Sequence, residues 1–230
     1  MSNYEENGIE IDGLDEIEVE NTAVDDLESE SINLIFLGID ESGSMTPYKV
    51  SGDMASCLTE FKTALTDSKE ADEILVARAD FADEIKIGGY KKISEFDTGF
   101  DVYGCTAMFD TIVEGSDKLK EYRKFLKEQG MTRVKAVFAI FSDGLDNQSS
   151  HGFSEAKQAV EFLNSEEITT AFISFGGQAT QTAKDLGFRN ILDVASSASE
   201  LRKAFNCLSK SVIESSKSVL SDDGDDFFQI

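Results

Sequence analysis

Apolar residues recur along this chain in two alternating textures. Between Ile32 and Ile39 they form a nearly continuous run, INLIFLGI, closed by turn chemistry. Such a run reads as a strand buried on both faces. Residues 50–68 change period: Met54, Cys57, Leu58, Phe61 and Leu65 fall at helical spacing. EILVARADFADEIKI then predicts two short strands around Ala82-Asp83. A second helix is expected over 107–129, with Met108, Ile112, Leu119, Tyr122 and Leu126 on its apolar face. RVKAVFAIFSDG reads as another buried strand, and 154–165 as an amphipathic helix with Ser154 as its N-cap. TTAFISFGG, AKDLGF and NILDVA predict strand, short helix and strand, and 198–217 a last helix. Strands alternating with helices of this length imply an α/β fold, a doubly wound and mostly parallel sheet covered by helices on both faces. Sheets of this kind bind ligands beyond the carboxyl ends of their strands. No internal repeat is visible.

Charge alters this picture mainly at the ends. The 230 residues carry 45 acidic and 21 basic side chains, a net −24. Residues 1–30 hold twelve Asp or Glu and no Lys or Arg, and the stretch after Lys217 adds four Asp and no base. Without these tails, 29 acidic and 21 basic residues remain, an ordinary soluble surface. Three segments are therefore expected: an acidic tail over 1–30, a domain over 31–217, and an acidic-aromatic tail over 218–230. The first tail reads either as disordered and solvated, or as an acidic strand or helix that docks on meeting an edge or groove. The second, ending SDDGDDFFQI, reads as a solubilising tail or a short docking peptide.

The acidic balance argues against nucleic acid, whose phosphates need clustered Lys and Arg, and against an anionic membrane surface. No apolar run approaches the roughly 20 residues of a membrane helix, and no basic start precedes an apolar region, as in a secretory signal. Cys57, Cys105 and Cys207 are odd in number and widely spaced. They suggest neither a disulfide framework nor zinc. A cytoplasmic protein with reduced thiols is expected.

Three loops carry the candidate chemistry. DESGSM (40–45) leaves the first strand with Asp40, Ser42 and Ser44 in alternation. GCT places Thr106 before the second helix, behind a glycine that permits a tight turn. SDG places Asp143 at the carboxyl end of a later strand. Each alone matches ordinary structure: serine turn caps, a threonine N-cap, a strand-end turn aspartate. Their joint order is more specific. Mg²⁺ takes octahedral oxygen ligands at about 2.0–2.1 Å and keeps several waters. Two carboxylates and three hydroxyls supply such a sphere without closing it, and the lack of His and Cys disfavours zinc, copper and iron.

That ordered set resembles the von Willebrand factor A (VWA) domain with an intact metal-ion-dependent adhesion site (MIDAS), over residues 31–217. The ending LRKAFNCLSKSVIESS is similar to the last helix of the intracellular TerY-like (tellurite-resistance) branch. The resemblance implies a Rossmann-like VWA fold and metal ligation by Asp40, Ser42, Ser44, Thr106 and Asp143. The metal would be Mg²⁺, with Mn²⁺ or Ca²⁺ as alternatives. It further implies a non-enzymatic module whose metal takes an Asp or Glu carboxylate from a protein partner. A carboxylate from either tail that occupies the metal of a neighbouring molecule would give self-association or autoinhibition. TerY-like relatives sit beside ATPases, phosphatases or kinases in stress and defence systems, which implies a similar multiprotein setting.

Two rival readings stand beside it: a metal-dependent phosphoryl hydrolase, and a scaffold whose site is never filled. Aspartyl-phosphate motifs read D-x-D, with the second aspartate as acid/base, and here that position is Ser42. Neither a G-x-S-x-G elbow nor a phosphate loop ending in Lys-Ser/Thr occurs. Glu41, Asp146 and Asn147 are expected to shape the rim, His151 to be exposed and unengaged, and Cys105 to be a small packed residue.

Overall fold

In a computed structural model, residues 31–47, 52–69, 73–217 and 227–228 are described. The expectations for 1–30 and for most of 218–230 lie outside them. The strands are β1 (Ser31–Asp40), β2 (Ile74–Phe81), β3 (Ile85–Ile87), β4 (Lys91–Lys92), β5 (Arg133–Ser142), β6 (Thr169–Phe175) and β7 (Asn190–Val194). The α-helices are α1 (Asp53–Thr66), α2 (Met108–Glu128), α3 (Phe153–Ser165), α4 (Thr180–Leu186) and α5 (Ala198–Lys217). One sheet of seven strands runs β3-β2-β1-β5-β6-β7, with β4 also paired to β2. Among the described residues five strands are parallel, and only β3 and β4 run antiparallel, in tandem along β2. The doubly wound α/β sheet read from the alternation of elements is the one observed. β4 was not anticipated, because two lysines carry no strand periodicity.

β1 sits in the middle of the sheet and explains its own composition. Its odd positions Ile35, Leu37 and Ile39 join one core with Met54, Phe61 and Leu65 of α1 and Leu201, Phe205 and Leu208 of α5. Its even positions Ile32, Leu34 and Phe36 join the other, with α2, α3 and α4. Alternate side chains of a strand face opposite ways, so a strand covered on both faces is apolar on both, with Asn33 the one buried polar residue between Ile32 and Ile39. Phe36 stacks on Phe138 of β5 at 4.8 Å. Gly115 of α2 is where that ring touches the helix: a Cβ there would lie 2.3 Å from Phe36 Cζ.

One local expectation is corrected. The N-cap of α3 is Gly152 rather than Ser154. Glu155 reaches back, its Oε2 accepting the Gly152 N–H at 2.7 Å, so the helix starts one residue earlier. At the C-terminal end Phe227 is buried in the α1/α5 core, and its N–H donates to Asn190 Oδ1 at 3.0 Å. The described part of the acidic-aromatic stretch therefore packs on its own domain.

Replacing Gly115 by Ala would gain about 1 kcal/mol of helix propensity. Overpacking against a ring held by its stacked partner costs about 1–3 kcal/mol. Gly115→Ala is therefore expected to lower the urea midpoint of unfolding, and a raised midpoint would show that Phe36 gives way freely.

Candidate metal centre

All five candidate ligands lie at the carboxyl ends of β1 and β5 or in the loop before α2. Asp40 is the last residue of β1 and has no exposed surface. Its Oδ1 accepts the Ser42 N–H at 2.8 Å, and its Oδ2 accepts the Ser142 hydroxyl at 2.6 Å. Ser42 Oγ lies 3.0 Å from Ser44 Oγ, whose hydroxyl donates to Asp143 Oδ1 at 2.6 Å. Asp40, Ser42, Ser44 and Asp143 thus form one connected set of oxygens. Ser42 is buried while Ser44 and Gly43 are exposed, which leaves one side of the set open. Leu145, half exposed, lies two residues beyond Asp143 on this rim.

Thr106 is 4% exposed, and the structure fixes its backbone. Gly43 N–H donates to Gly104 O at 3.0 Å and Tyr103 N–H to Glu41 O at 2.8 Å, joining its loop to the DESGSM loop. Thr106 N–H donates to Asn147 Oδ1 at 2.8 Å, and Asn147 N–H to Thr106 O at 3.1 Å, joining it to the loop after Asp143. Gly104 sits at φ +61°, and a Cβ there would lie 2.1 Å from Asp83 Oδ2. Only glycine allows this approach.

Thr106 does not cap α2 as a sequence reading would allow; Ala107 holds the cap position and offers no side chain for it. The cap comes from the loop after β5. Asp146 Oδ2 accepts the Phe109 N–H at 2.9 Å, and Ser149 Oγ accepts the Asp110 N–H at 3.0 Å. Asp110 answers by accepting the Ser150 and His151 N–H groups at 2.9 and 2.7 Å. The first amides of a helix need outside partners and favour negative charge, and this loop supplies both.

Asp146 and Asn147 therefore shape the rim as expected, and so does Glu41, which accepts from Arg78 at 3.2 Å and from the Asp101 N–H at 3.0 Å. His151 corrects its expectation: it is half-buried, with Nδ1 2.8 Å from Asp110 Oδ1. Cys105 corrects its own, being exposed, with its N–H donating to Asp83 Oδ1 at 2.7 Å. Ser142 was missed. It shares the face of Asp40 because the β1–β5 register pairs Ile39 with Phe141, a neighbourhood that chain order does not reveal.

The electrostatics suit a cation. Burial pushes the Asp40 carboxyl up to about 6, against hydrogen bonds from Ser142 and Ser42 that pull it down, and the Asp143 charge adds to the rise. Burial likewise raises Asp143. Mg²⁺ takes hard oxygen donors, and the Ser42, Ser44 and Asp143 oxygens lie 2.6–3.0 Å apart as hydrogen-bonded neighbours. The donor set therefore fits a small hard cation. Among the described residues no group of three or more His, Cys, Asp or Glu gathers; this set has two carboxylates, and its other donors are hydroxyls.

No protein-family model matches the chain, and neither does any curated protein. Solved structures do. The tip-protein Mfa5 vWF domain of Porphyromonas gingivalis aligns with TM-score 0.63 at 10% identity, over 84% of this chain and 99% of that one. The fold is that of the VWA domains. The von Willebrand factor type A protein of Catenulispora acidiphila aligns with TM-score 0.57 at 14% identity, over 80% of this chain and 43% of that one. The pilus adhesin SpaC of Lactobacillus rhamnosus GG aligns with TM-score 0.63 at 12% identity, over 81% of this chain. This VWA-fold chain spans only 30% of SpaC. A mussel byssus matrix protein, PTMP1, aligns with TM-score 0.55 at 18% identity, over 80% of this chain and 46% of that one, and its MIDAS motif holds zinc. Among the described residues no helix is long and apolar enough to cross a membrane.

A carboxyl held near 6 when folded and near 3.8 when unfolded keeps its proton longer in the folded state. Stability then falls as pH rises from about 4 to about 6 and stays reduced above that. Without divalent metal at pH about 7.5, Asp40→Asn is expected to be more stable than wild type by about 1–3 kcal/mol. The gap should close towards pH 4. Chemical denaturation across this range in EDTA checks it, and a less stable variant at pH 7.5 would contradict it.

Proposed function

We propose that this chain is a non-enzymatic, metal-dependent protein-binding module that holds Mg²⁺ through Asp40, Ser42, Ser44, Thr106 and Asp143. The observation that carries the reading is the connected set of carboxylate and hydroxyl oxygens, open on the Ser44 side, at the carboxyl edge of a VWA-fold sheet. Bound Mg²⁺ would act as a Lewis acid with a coordination position left for a carboxylate. The chain's own residues do the rest. Asp40 and Asp143 supply negative charge in a partly dry setting, where their repulsion favours a cation between them. Ser42, Ser44 and Thr106 add neutral donors, so the two carboxylates would only just balance the metal's charge, and a bound water could give way to one further carboxylate.

The partner supplies an Asp or Glu side chain, from a surface that is basic or neutral around it, because the domain itself is acidic. The adhesin and matrix proteins that share the fold support a binding role. A cytoplasmic, TerY-like setting within a stress or defence assembly is part of the same proposal, resting on the resemblance of the terminal helix. Nothing in the site favours the hydrolase reading, since Ser42 stands where an acid/base would be needed.

Affinity capture tests this directly. Wild type should retain a protein partner in Mg²⁺ and release it in EDTA, and Asp40→Ala should retain none. Capture that is indifferent to both changes would refute the proposal, as would phosphoester turnover lost in Asp40→Ala. Asn147 positions Thr106 without offering the metal a ligand. Asn147→Ala is therefore expected to weaken Mg²⁺ binding by about 10–100-fold, as is usual for groups that orient ligands, in a calorimetric titration. Unchanged affinity would remove Thr106 from the site.

A further inference from the structure

At the amino end of the sheet, away from the candidate metal centre, α2 and α3 enclose a groove of about 470 Å³. Lys120, Arg123, Lys124 and Lys127 line it along one face of α2, with Phe162 of α3 opposite, 41% exposed. Lys120 Nζ lies 4.5 Å from the Phe162 ring centroid. Four cations and an open aromatic ring are conspicuous on a chain of net charge −24. Their described carboxylate partners sit at the surface: Lys120–Asp117 spans 2.5 Å, Lys124–Glu128 3.8 Å and Arg123–Glu166 3.6 Å, each with an acid about half exposed or more. Pairs of that kind contribute about 0–1 kcal/mol and exchange readily.

We infer that this groove is the intramolecular docking site of the acidic segment 16–30. Charge complementarity is the first argument. That segment holds Glu16, Glu18, Glu20, Asp25, Asp26, Glu28 and Glu30, without a single base. Its apolar residues Ile17, Val19, Val24 and Leu27 are spaced to set one or two side chains against Phe162 while the acids meet the lysines.

Reach is the second argument. The segment ends where β1 begins, and Ile32 of β1 is registered with Val134 of β5. Arg123 Nε donates to Val134 O at 3.4 Å. The groove thus starts about one strand spacing, near 4.8 Å, from the point where the segment enters the sheet. From Lys120 to Lys127 the helix rises about 10 Å, which three or four extended residues cover. A tether this short gives an effective concentration in the millimolar range, enough for weak ionic contacts to close the groove. Docked there, the segment lies at the opposite end of the strands from Asp40 and leaves the metal centre of its own molecule open.

Zero-length carbodiimide coupling of the full chain, followed by mass spectrometry of the monomer fraction, tests the inference. Cross-links should join residues 16–30 to Lys120, Lys124 and Lys127. Their yield should drop about tenfold from roughly 0.02 M to roughly 0.5 M salt, as exposed charges are screened. A Lys124→Glu/Lys127→Glu variant should lose the remaining Lys120 cross-link while keeping the wild-type melting temperature. Cross-links spread equally over lysines elsewhere, such as Lys184, Lys203 and Lys210, would overturn it. So would cross-links confined to a dimer fraction, which would assign the groove to the segment of a second copy. A groove cross-linked only to an added acidic peptide would overturn it in favour of an external partner.

Discussion

The candidate centre depends on one reciprocal set of hydrogen bonds, between the first turn of α2 and the loop that follows β5. The α2 amides of Phe109 and Asp110 find Asp146 and Ser149, while Asp110 holds the amides of Ser150 and His151. Asn147 and Thr106 bind each other's backbone within the same patch. Two loops more than thirty residues apart in sequence thereby behave as one piece. Since Thr106 belongs to one and Asp143 to the other, their relative position is set before any ligand arrives. The bonds from Gly43 to Gly104 and from Tyr103 to Glu41 bring the DESGSM loop into the same frame.

A frame of this rigidity has an electrostatic consequence. It keeps Asp40 fully buried, with Ser142 and Ser42 as donors, and holds Asp143 close enough to raise the energy of its charge. Desolvation outweighs the donors, so the carboxyl rests at about 6. Such a site is poor without a cation and favourable with one. On the proposed function, proton and metal would compete for the same oxygens, with the metal favoured above that pH. Preorganised ligands with an open face suit capture of an outside carboxylate better than a closed structural site.

Much of this was legible in the sequence because it depended on local pattern. The apolar run Ile32–Ile39 could only be a doubly covered strand, and the helical spacing of Met54, Cys57, Leu58, Phe61 and Leu65 is the face α1 buries. The order of D-x-S-x-S, Thr106 and Asp143 identified the three loops before their convergence could be seen. What escaped depended on neighbours distant in sequence. Ser142 touches Asp40 only because β5 lies beside β1. His151 is engaged because Asp110 faces its loop across the top of α2. Cys105 is exposed at a turn where Gly104 takes φ +61° and Asp83 accepts the Cys105 N–H. Strand order and loop pairing are global properties, and short polar segments carry little periodicity to announce them.

The central claim is that these five residues converge on one small hard cation. Diffraction from crystals soaked in Mn²⁺, recorded at the manganese absorption edge, tests it most directly. One anomalous peak enclosed by Asp40, Ser42, Ser44, Thr106 and Asp143 is the result predicted. Absence of a peak there, or a peak held by other carboxylates while these oxygens stay bonded to one another, would contradict it.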